Sequence, residues 1–392
     1  MEYGTLDLTV IAQQINREKY LSRRNWIILF GGFILLTLAF FGLSFLPYSG
    51  PPENRCEFSC FLHVFEAFSP LALLIGIFIV AYINRRRRNA NAGPYAVRLD
   101  TLDWPPVKRF YWTTSARISY GWIIAIIILS IAFHFDSDYG LTLFLMAIPY
   151  LIFWGVNIWI KSIIEKGNYD QTILVVQRLK RWFHAEPGLW GAEALACSFA
   201  DRAQESEVMH RMVIAQMLKK QVYTISLWLN NYAVDLLFQD RFDEALFLLE
   251  TAIMCQPTYA SSYDTLASLY LMQNLAPEYA LKLAEFGLKL PTGFAILDKS
   301  ASVAARRATL AWAEARNGLA DRARVTLQEA LKKANPKHIP YFAELNRIAG
   351  ETYLTLNDLP AARQHFARAA ELDTKGRIGR IAREKLESLP SD

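Results

Sequence analysis

Cysteine is scarce in this chain: four in 392 residues, too few for a disulfide-stapled scaffold. Charge is also in short supply. Charged residues make up 20% against 53% hydrophobic, a balance that can bury ample apolar surface and excludes a disordered chain. No run alternates apolar and polar residues with period two for long enough to argue a strand. The signatures of catalysis are missing too. There is no G-x-x-x-x-G-K-[ST] loop to cradle phosphates, no H-E-x-x-H and no G-x-S-x-G. His63, His134, His184, His210, His338 and His365 are scattered, and no Ser or Cys stands at a family-specific spacing from any of them. The expectation is a protein that is not an enzyme and carries no cofactor.

The net charge of +5 divides unevenly. Residues 1–166 hold 15 Lys and Arg against 11 Asp and Glu, and the remainder holds 27 against 26. A nearly neutral C-terminal part lacks the electrostatic footprint of a nucleic-acid binder.

What the first part does have is apolar length. Four stretches, Trp26–Leu46, Phe65–Ile83, Ile118–Phe135 and Leu141–Ile160, approach the roughly 20 residues of helix that span a bilayer core. They predict a four-helix transmembrane bundle over 26–166, with spans at about 26–46, 65–83, 118–135 and 141–160. Fourteen Lys and Arg flank one side of these runs, and only Arg55 lies on the other. By the positive-inside rule that places both termini in the cytoplasm of a multi-pass inner-membrane protein. Residues 1–25 contain Leu8, Ile11 and Ile15 at helical spacing. They suggest an amphipathic helix lying on the inner leaflet or packed on the protein's own cytoplasmic part. Arg85, Arg86, Arg87 and Arg88 read as a topology signal and as a lipid-facing basic cluster. Trp104-Pro105-Pro106 reads as part of a stiff, interface-hugging loop. Cys56, Cys60 and His63 form a C-x3-C-x2-H pattern, a weak metal candidate because the usual finger spacings are absent. The competing readings are a Cys56–Cys60 disulfide and free thiols.

From Gly167 the pattern turns to amphipathic helices of about 12–16 residues, with 167–225 a helical connector of unfixed register that admits one or two degenerate repeat pairs. An internal repeat begins at Ser226. Leu229, Tyr232, Ala233 and Leu236 mark a first helix, and Gln239-Asp240-Arg241 a turn. Phe242, Ala245, Leu249 and Ala252 mark a second, closed by Pro257. Three more follow, the second with Tyr263, Leu266, Ala267 and Ala280. The third shows Leu310, Ala311, Ala323 and Leu327, and the fourth Ala349, Gly350, Ala362, Phe366 and Ala369. Small residues stand where helix backbones must approach closely, and each pair leaves an apolar face that only its neighbour can cover. This pattern resembles the tetratricopeptide repeat, with units at about 226–259, 260–293, 304–336 and 343–376, then a cap and tail at 377–392. The fold class expected is therefore all-α: a four-span bundle followed by a cytoplasmic α-solenoid.

The resemblance implies a concave groove that binds peptides or proteins, lined by the first helix of each pair. The positions it indicates are Asn230, Val234, Phe238, Asp264, Ser268, Trp312, Arg316, Arg347 and Glu351. Val234 stands where the chaperone-tail clamp of some members needs Asn, so that ligand is not expected. The functional expectation is a membrane-anchored scaffold that recruits protein partners, contacts lipids and forms homo- or hetero-oligomers. Its rivals are a subunit of a transport or pore complex and a redox or metal protein using the Cys/His cluster.

Overall fold

The computed structural model describes residues 6–44, 79–106, 139–183, 186–220, 222–290 and 299–390. The chain divides into two compact units, Met1–Pro94 and Tyr95–Asp392. In the first, α1 runs from Leu8 to Ser44 as one unbroken helix. The Asp7 carboxylate accepts from the backbone N–H of Thr9 (2.8 Å) and Val10 (3.3 Å), satisfying two of the donors a helix start leaves unpaired. Residues 79–96 form α2. Asn25 donates to Asn84 (2.8 Å), and Asn91 (3.4 Å) and Arg87 (3.5 Å) both donate to Glu18. These bonds tie the two helices together in antiparallel order. Ile11 and Ile15 are buried, whereas Arg85 and Arg86 are exposed.

The second unit is an array of antiparallel helix pairs. Its helices are α3 (Tyr139–Glu165), α4 (Tyr169–Trp182), α5 (Pro187–Phe199), α6 (Ala203–Lys220) and α7 (Ser226–Leu237). They continue with α8 (Phe242–Cys255), α9 (Ala260–Met272), α10 (Pro277–Lys289), α11 (Lys299–Arg316) and α12 (Ala320–Lys333). The last three are α13 (Ile339–Thr355), α14 (Leu359–Leu372) and α15 (Arg377–Ser388). One turn recurs six times among the described residues. Gly167, Asp201, Asp240, Asn274, Gly318 and Asn357 each take a positive φ, between 55° and 75°. The next residue's N–H bonds a carbonyl five back: Asn168 to Ile163, Arg202 to Cys197, Arg241 to Leu236, Leu275 to Tyr270, Leu319 to Glu314 and Asp358 to Tyr353. This is the Schellman helix end, and Gly, Asn and Asp are the residues that tolerate its left-handed position. The same turn joins α3 to α4 and α5 to α6, at the start of and within the 167–225 connector.

Within pairs the contacts are dry and close. Ala245, Ala252, Ala280, Ala323, Ala330, Ala362 and Ala369 are fully or almost fully buried. A side-chain carbon at Gly350 of α13 would lie 2.7 Å from the Phe366 ring of α14, so the absence of Cβ there is what lets the two helices meet. Ahead of α3, the strap 97–106 lies on the second helices of two pairs. Arg98 sits 5.2 Å over the Phe247 ring and 3.5 Å from Glu250, and Arg211 lies 5.9 Å over Trp104.

The membrane reading requires correction. Among the described residues no helix is long and apolar enough to cross a membrane. The expected four-span bundle, the multi-pass inner-membrane localisation and the cytoplasmic placement of both termini fall with that finding, as does a pore built on such spans. The 141–160 run lies within α3, where Leu151, Ile152, Trp154, Ile158 and Trp159 are exposed, and Ile160 at its end and Ile163 and Ile164 beyond it are buried. Ile160 and Ile164 pack in one cluster with Val176 of α4 and Leu189 of α5. The 26–46 run continues a helix that begins at Leu8. Residues 65–78 and the whole 118–135 run lie outside the described residues, as do Cys56, Cys60 and His63.

Candidate functional site

The first helices of successive pairs, α5, α7, α9, α11 and α13, pack one against the next, and α15 follows in the same row. Together they form the inner face of the array. The row curves until its ends meet, with α15 packed against α5.

Three polar contacts join these ends. The Tyr169 hydroxyl donates to the Asp373 carboxylate (3.1 Å), whose other oxygen caps α15 by accepting from the N–H of Ile378 (3.1 Å) and Gly379 (3.3 Å). Arg380 reaches Asp201 at 2.5 Å. Arg377, 6% exposed, donates to Asp235 at 2.6 Å, and Asp235 is itself only 2% exposed. Ser198 and Ser206 also donate to the Asp235 carboxylate, and His210 Nε2 lies 3.3 Å from it. Burial alone would raise the pKa of this carboxyl. The Arg377 charge, with His210 and Ser198, outweighs burial and holds it well below the ordinary carboxylate range.

The groove positions indicated by the repeat fall into three places on this face. Phe238, Arg347 and Glu351 come together with α15. Two guanidinium groups lie over the Phe238 ring, Arg377 at 4.4 Å and Arg347 at 5.5 Å from its centroid. Arg347 is held by Glu344 (2.7 Å) and Glu351 (3.9 Å), and Lys385 of α15 pairs with Glu351 at 3.1 Å. Asn230, Asp264 and Trp312 occupy the middle of the row on α7, α9 and α11, Asn230 and Trp312 buried and Asp264 half-buried. Burial pushes the Asp264 carboxyl up to about 6, against the opposing pull of Thr309 and Arg306. Arg316 stands apart at the turn, donating to Asn274 (2.9 Å), and Val234 and Ser268 are half-buried.

Four of these residues carry a buried polar atom with no hydrogen-bond partner among the described residues: Asn230 Oδ1, Asp264 Oδ1, Trp312 Nε1 and Arg316 Nε. Leaving such a group unpaired costs about 1–3 kcal/mol; all four atoms are closed to solvent, so a water or ligand atom reaches them only where the surrounding side chains open.

Sequence reasoning missed Asp235, Glu344, Arg377 and Lys385. A signal existed for the first. Asp235 is a lone charge inside the otherwise uncharged run from Ser226 to Leu237, which marks either a misplaced helix face or a buried carboxylate with partners.

Elsewhere, an apolar cavity of about 210 Å³ lies between α3 and the α4–α5 connection, lined by residues including Val156, Asn157, Leu179, Phe183 and Glu186. Among the described residues no group of three His, Cys, Asp or Glu is arranged to hold a metal. Cys197 and Cys255 are buried thiols, both pushed up to about 12 by burial and therefore protonated and unreactive.

No protein-family model matches the chain, and no curated protein matches its sequence. Among solved structures it is similar to YrrB, described as a TPR protein with an unusual peptide-binding site: 12% identity over 53% of this chain and 97% of that one, TM-score 0.30. It is similar as well to the C-terminal part of a TPR repeat-containing protein from Cytophaga hutchinsonii (12% identity, 58% and 98%, TM-score 0.29). Yeast Tom70 is a third (12% identity, 97% and 83%, TM-score 0.35). Likeness at this level carries no weight for curvature or ligand. The helical-repeat assignment rests on the six turns and the pairs they close.

Proposed function

We propose that this protein is a protein-interaction module that binds a segment of a partner along the inner face of the helix-pair array. The observation that carries this reading is the row of unpaired buried polar atoms on α7, α9 and α11. Unpaired acceptors at Asn230 and Asp264 and a donor at Trp312 stand on three successive first helices of the row, with the Arg316 donor apart at the turn. A polypeptide presents alternating donors and acceptors along its backbone, which is the chemistry that satisfies such a row. The dry, local packing of the pairs holds these groups in place before a ligand arrives, so little ordering cost falls on binding.

Peptide-display selection on the full chain tests the reading. Selected peptides are expected to lose at least five-fold in affinity on Asp264→Asn and on Trp312→Phe, which removes the indole N–H while keeping an aromatic ring. If no peptide is enriched, or enriched peptides ignore both substitutions, the groove is not the binding site.

A further inference from the structure

Asp235 is buried in a helix that otherwise carries no charge, and its surroundings are built for a cation. Ser198, Ser206 and His210 come from the adjoining pair α5–α6 and hold the carboxylate whatever α15 does. Phe238 follows at i+3, one helical turn on, and offers its ring face to a guanidinium. A buried carboxylate beside an aromatic face, pre-set by two hydroxyl donors, is an arginine pocket. In this structure Arg377 fills it.

The rest of α15 fits the same face. Arg377, Ile381 and Lys385 recur at intervals of four, so they share one stripe of the helix. Arg377 enters the Asp235–Phe238 pocket and Lys385 meets Glu351 on α13. α15 also packs on α14 and buries Ile378 and Ala382, but the contacts joining it to the start of the array are polar, and the Arg380–Asp201 pair among them is partly exposed, with Arg380 41% accessible. Contacts of that kind exchange for equivalent ones more readily than a dry apolar seam does.

We propose that the inner face recognises a basic amphipathic helix bearing Arg and, eight residues on, Lys, and that α15 occupies this site as an intramolecular competitor. The partner is thus a protein segment with the charge pattern of α15 itself. The array takes it up when α15 gives way. This deepens the protein-interaction reading and rests on it.

The test uses the full-length chain and a fluorescent peptide of residues 373–390. Wild type is expected to bind the peptide weakly. Arg377→Ala vacates the pocket and is expected to bind it at least ten-fold more tightly. Arg380→Ala loosens α15 while leaving the pocket filled, and a gain of several-fold is expected. A peptide with Ala in place of its Arg377 or Lys385 should show neither gain, and Phe238→Ala added to Arg377→Ala should abolish the gain. If Arg377→Ala does not fold, Arg380→Ala alone decides. Absence of a gain in the folded variants overturns the proposal and makes α15 a structural cap. Display-selected peptides that respond to Asp264→Asn but not to Phe238→Ala would overturn the arginine pocket while leaving the groove reading intact.

Discussion

The helices of this protein are joined along two kinds of seam. Inside each pair, as between α13 and α14, the contact is made by Gly350, Ala362, Ala369 and a fully buried Phe366, all close in sequence and all apolar. Where the ends of the array meet, at α15, the contact is made by Tyr169, Asp201, Asp235, Asp373, Arg377 and Arg380, separated by up to 204 residues. The apolar seam has no alternative partner and gains from every methyl group it buries. The charged seam loses much of its Coulomb attraction to desolvation, and it can be satisfied by another molecule with the same charges. The first is suited to holding a shape, the second to an exchangeable contact.

The largest effect is expected where the apolar seam is emptied. Phe366→Ala should cost about 3–5 kcal/mol in urea unfolding, from lost burial and the cavity left behind. Gly350→Ala should destabilise by about 1–3 kcal/mol, although the same change in an exposed helix would stabilise. The added carbon would sit 2.7 Å from the Phe366 ring, with nowhere for the ring to go. If Gly350→Ala is neutral or stabilising, the pair seam is looser than described and the comparison fails on its first side.

Arg377→Ala should cost less than Phe366→Ala, about 1–3 kcal/mol, because Ser198, Ser206 and His210 remain on Asp235. Hydrogen exchange separates the two seams directly. The α15 amides should lose protection in this variant while those of α13 and α14 keep theirs. Uniform loss along the array would mean that both seams break together and that α15 is not separable.

The two kinds of seam were not equally legible in the sequence. Ala245, Ala252, Gly350 and Phe366 stand at spacings that announce helix pairs, because packing between neighbours in sequence imposes a local period. Arg377 and Asp235 lie 142 residues apart and obey no period, so their meeting emerges only from the curvature accumulated over the pairs between them. The α5–α6 pair was legible in principle: Phe199-Ala200-Asp201-Arg202 repeats the turn Phe238-Gln239-Asp240-Arg241, with the same left-handed Asp. The apolar length of residues 141–160 misled for a physical reason. Ile160 at its end packs with Val176 and Leu189, while Leu151, Ile152, Trp154, Ile158 and Trp159 are exposed, so sequence hydropathy and burial part company along this helix.

Two carboxylates on adjacent first helices should respond to pH in opposite senses. Asp264, facing Thr309, Arg306 and Glu344, titrates near 6 in the folded chain, above its unfolded value near 3.8. Its charged form therefore costs stability at neutral pH. That cost should lift as pH falls through 6 and be gone below about 4. Asp235 is held well below the ordinary range, so its contribution is fully present above the unfolded value and fades only as pH falls well beneath it. Between pH 7 and 5 the difference in stability between wild type and Asp264→Asn should shrink, while that between wild type and Asp235→Asn should hold constant. Absence of a trend at Asp264 would show that the carboxyl is solvated, and would remove one of the groove's unpaired acceptors.

The smallest expected change in stability is also the most discriminating. Arg380→Ala removes an ion pair whose members are 41% and 28% exposed, and pairs of that kind contribute about 0–1 kcal/mol. Global unfolding should hardly register it. If α15 is held by replaceable polar contacts, however, the fraction of molecules with α15 released scales with the local free energy, not the global one. A loss of 1 kcal/mol there raises that fraction about five-fold. Hydrogen exchange confined to α15 should accelerate by that factor while urea midpoints coincide. If instead the apolar contact through Ile378 and Ala382 governs α15, its amides exchange only through global unfolding, and Arg380→Ala leaves them as slow as those of α14.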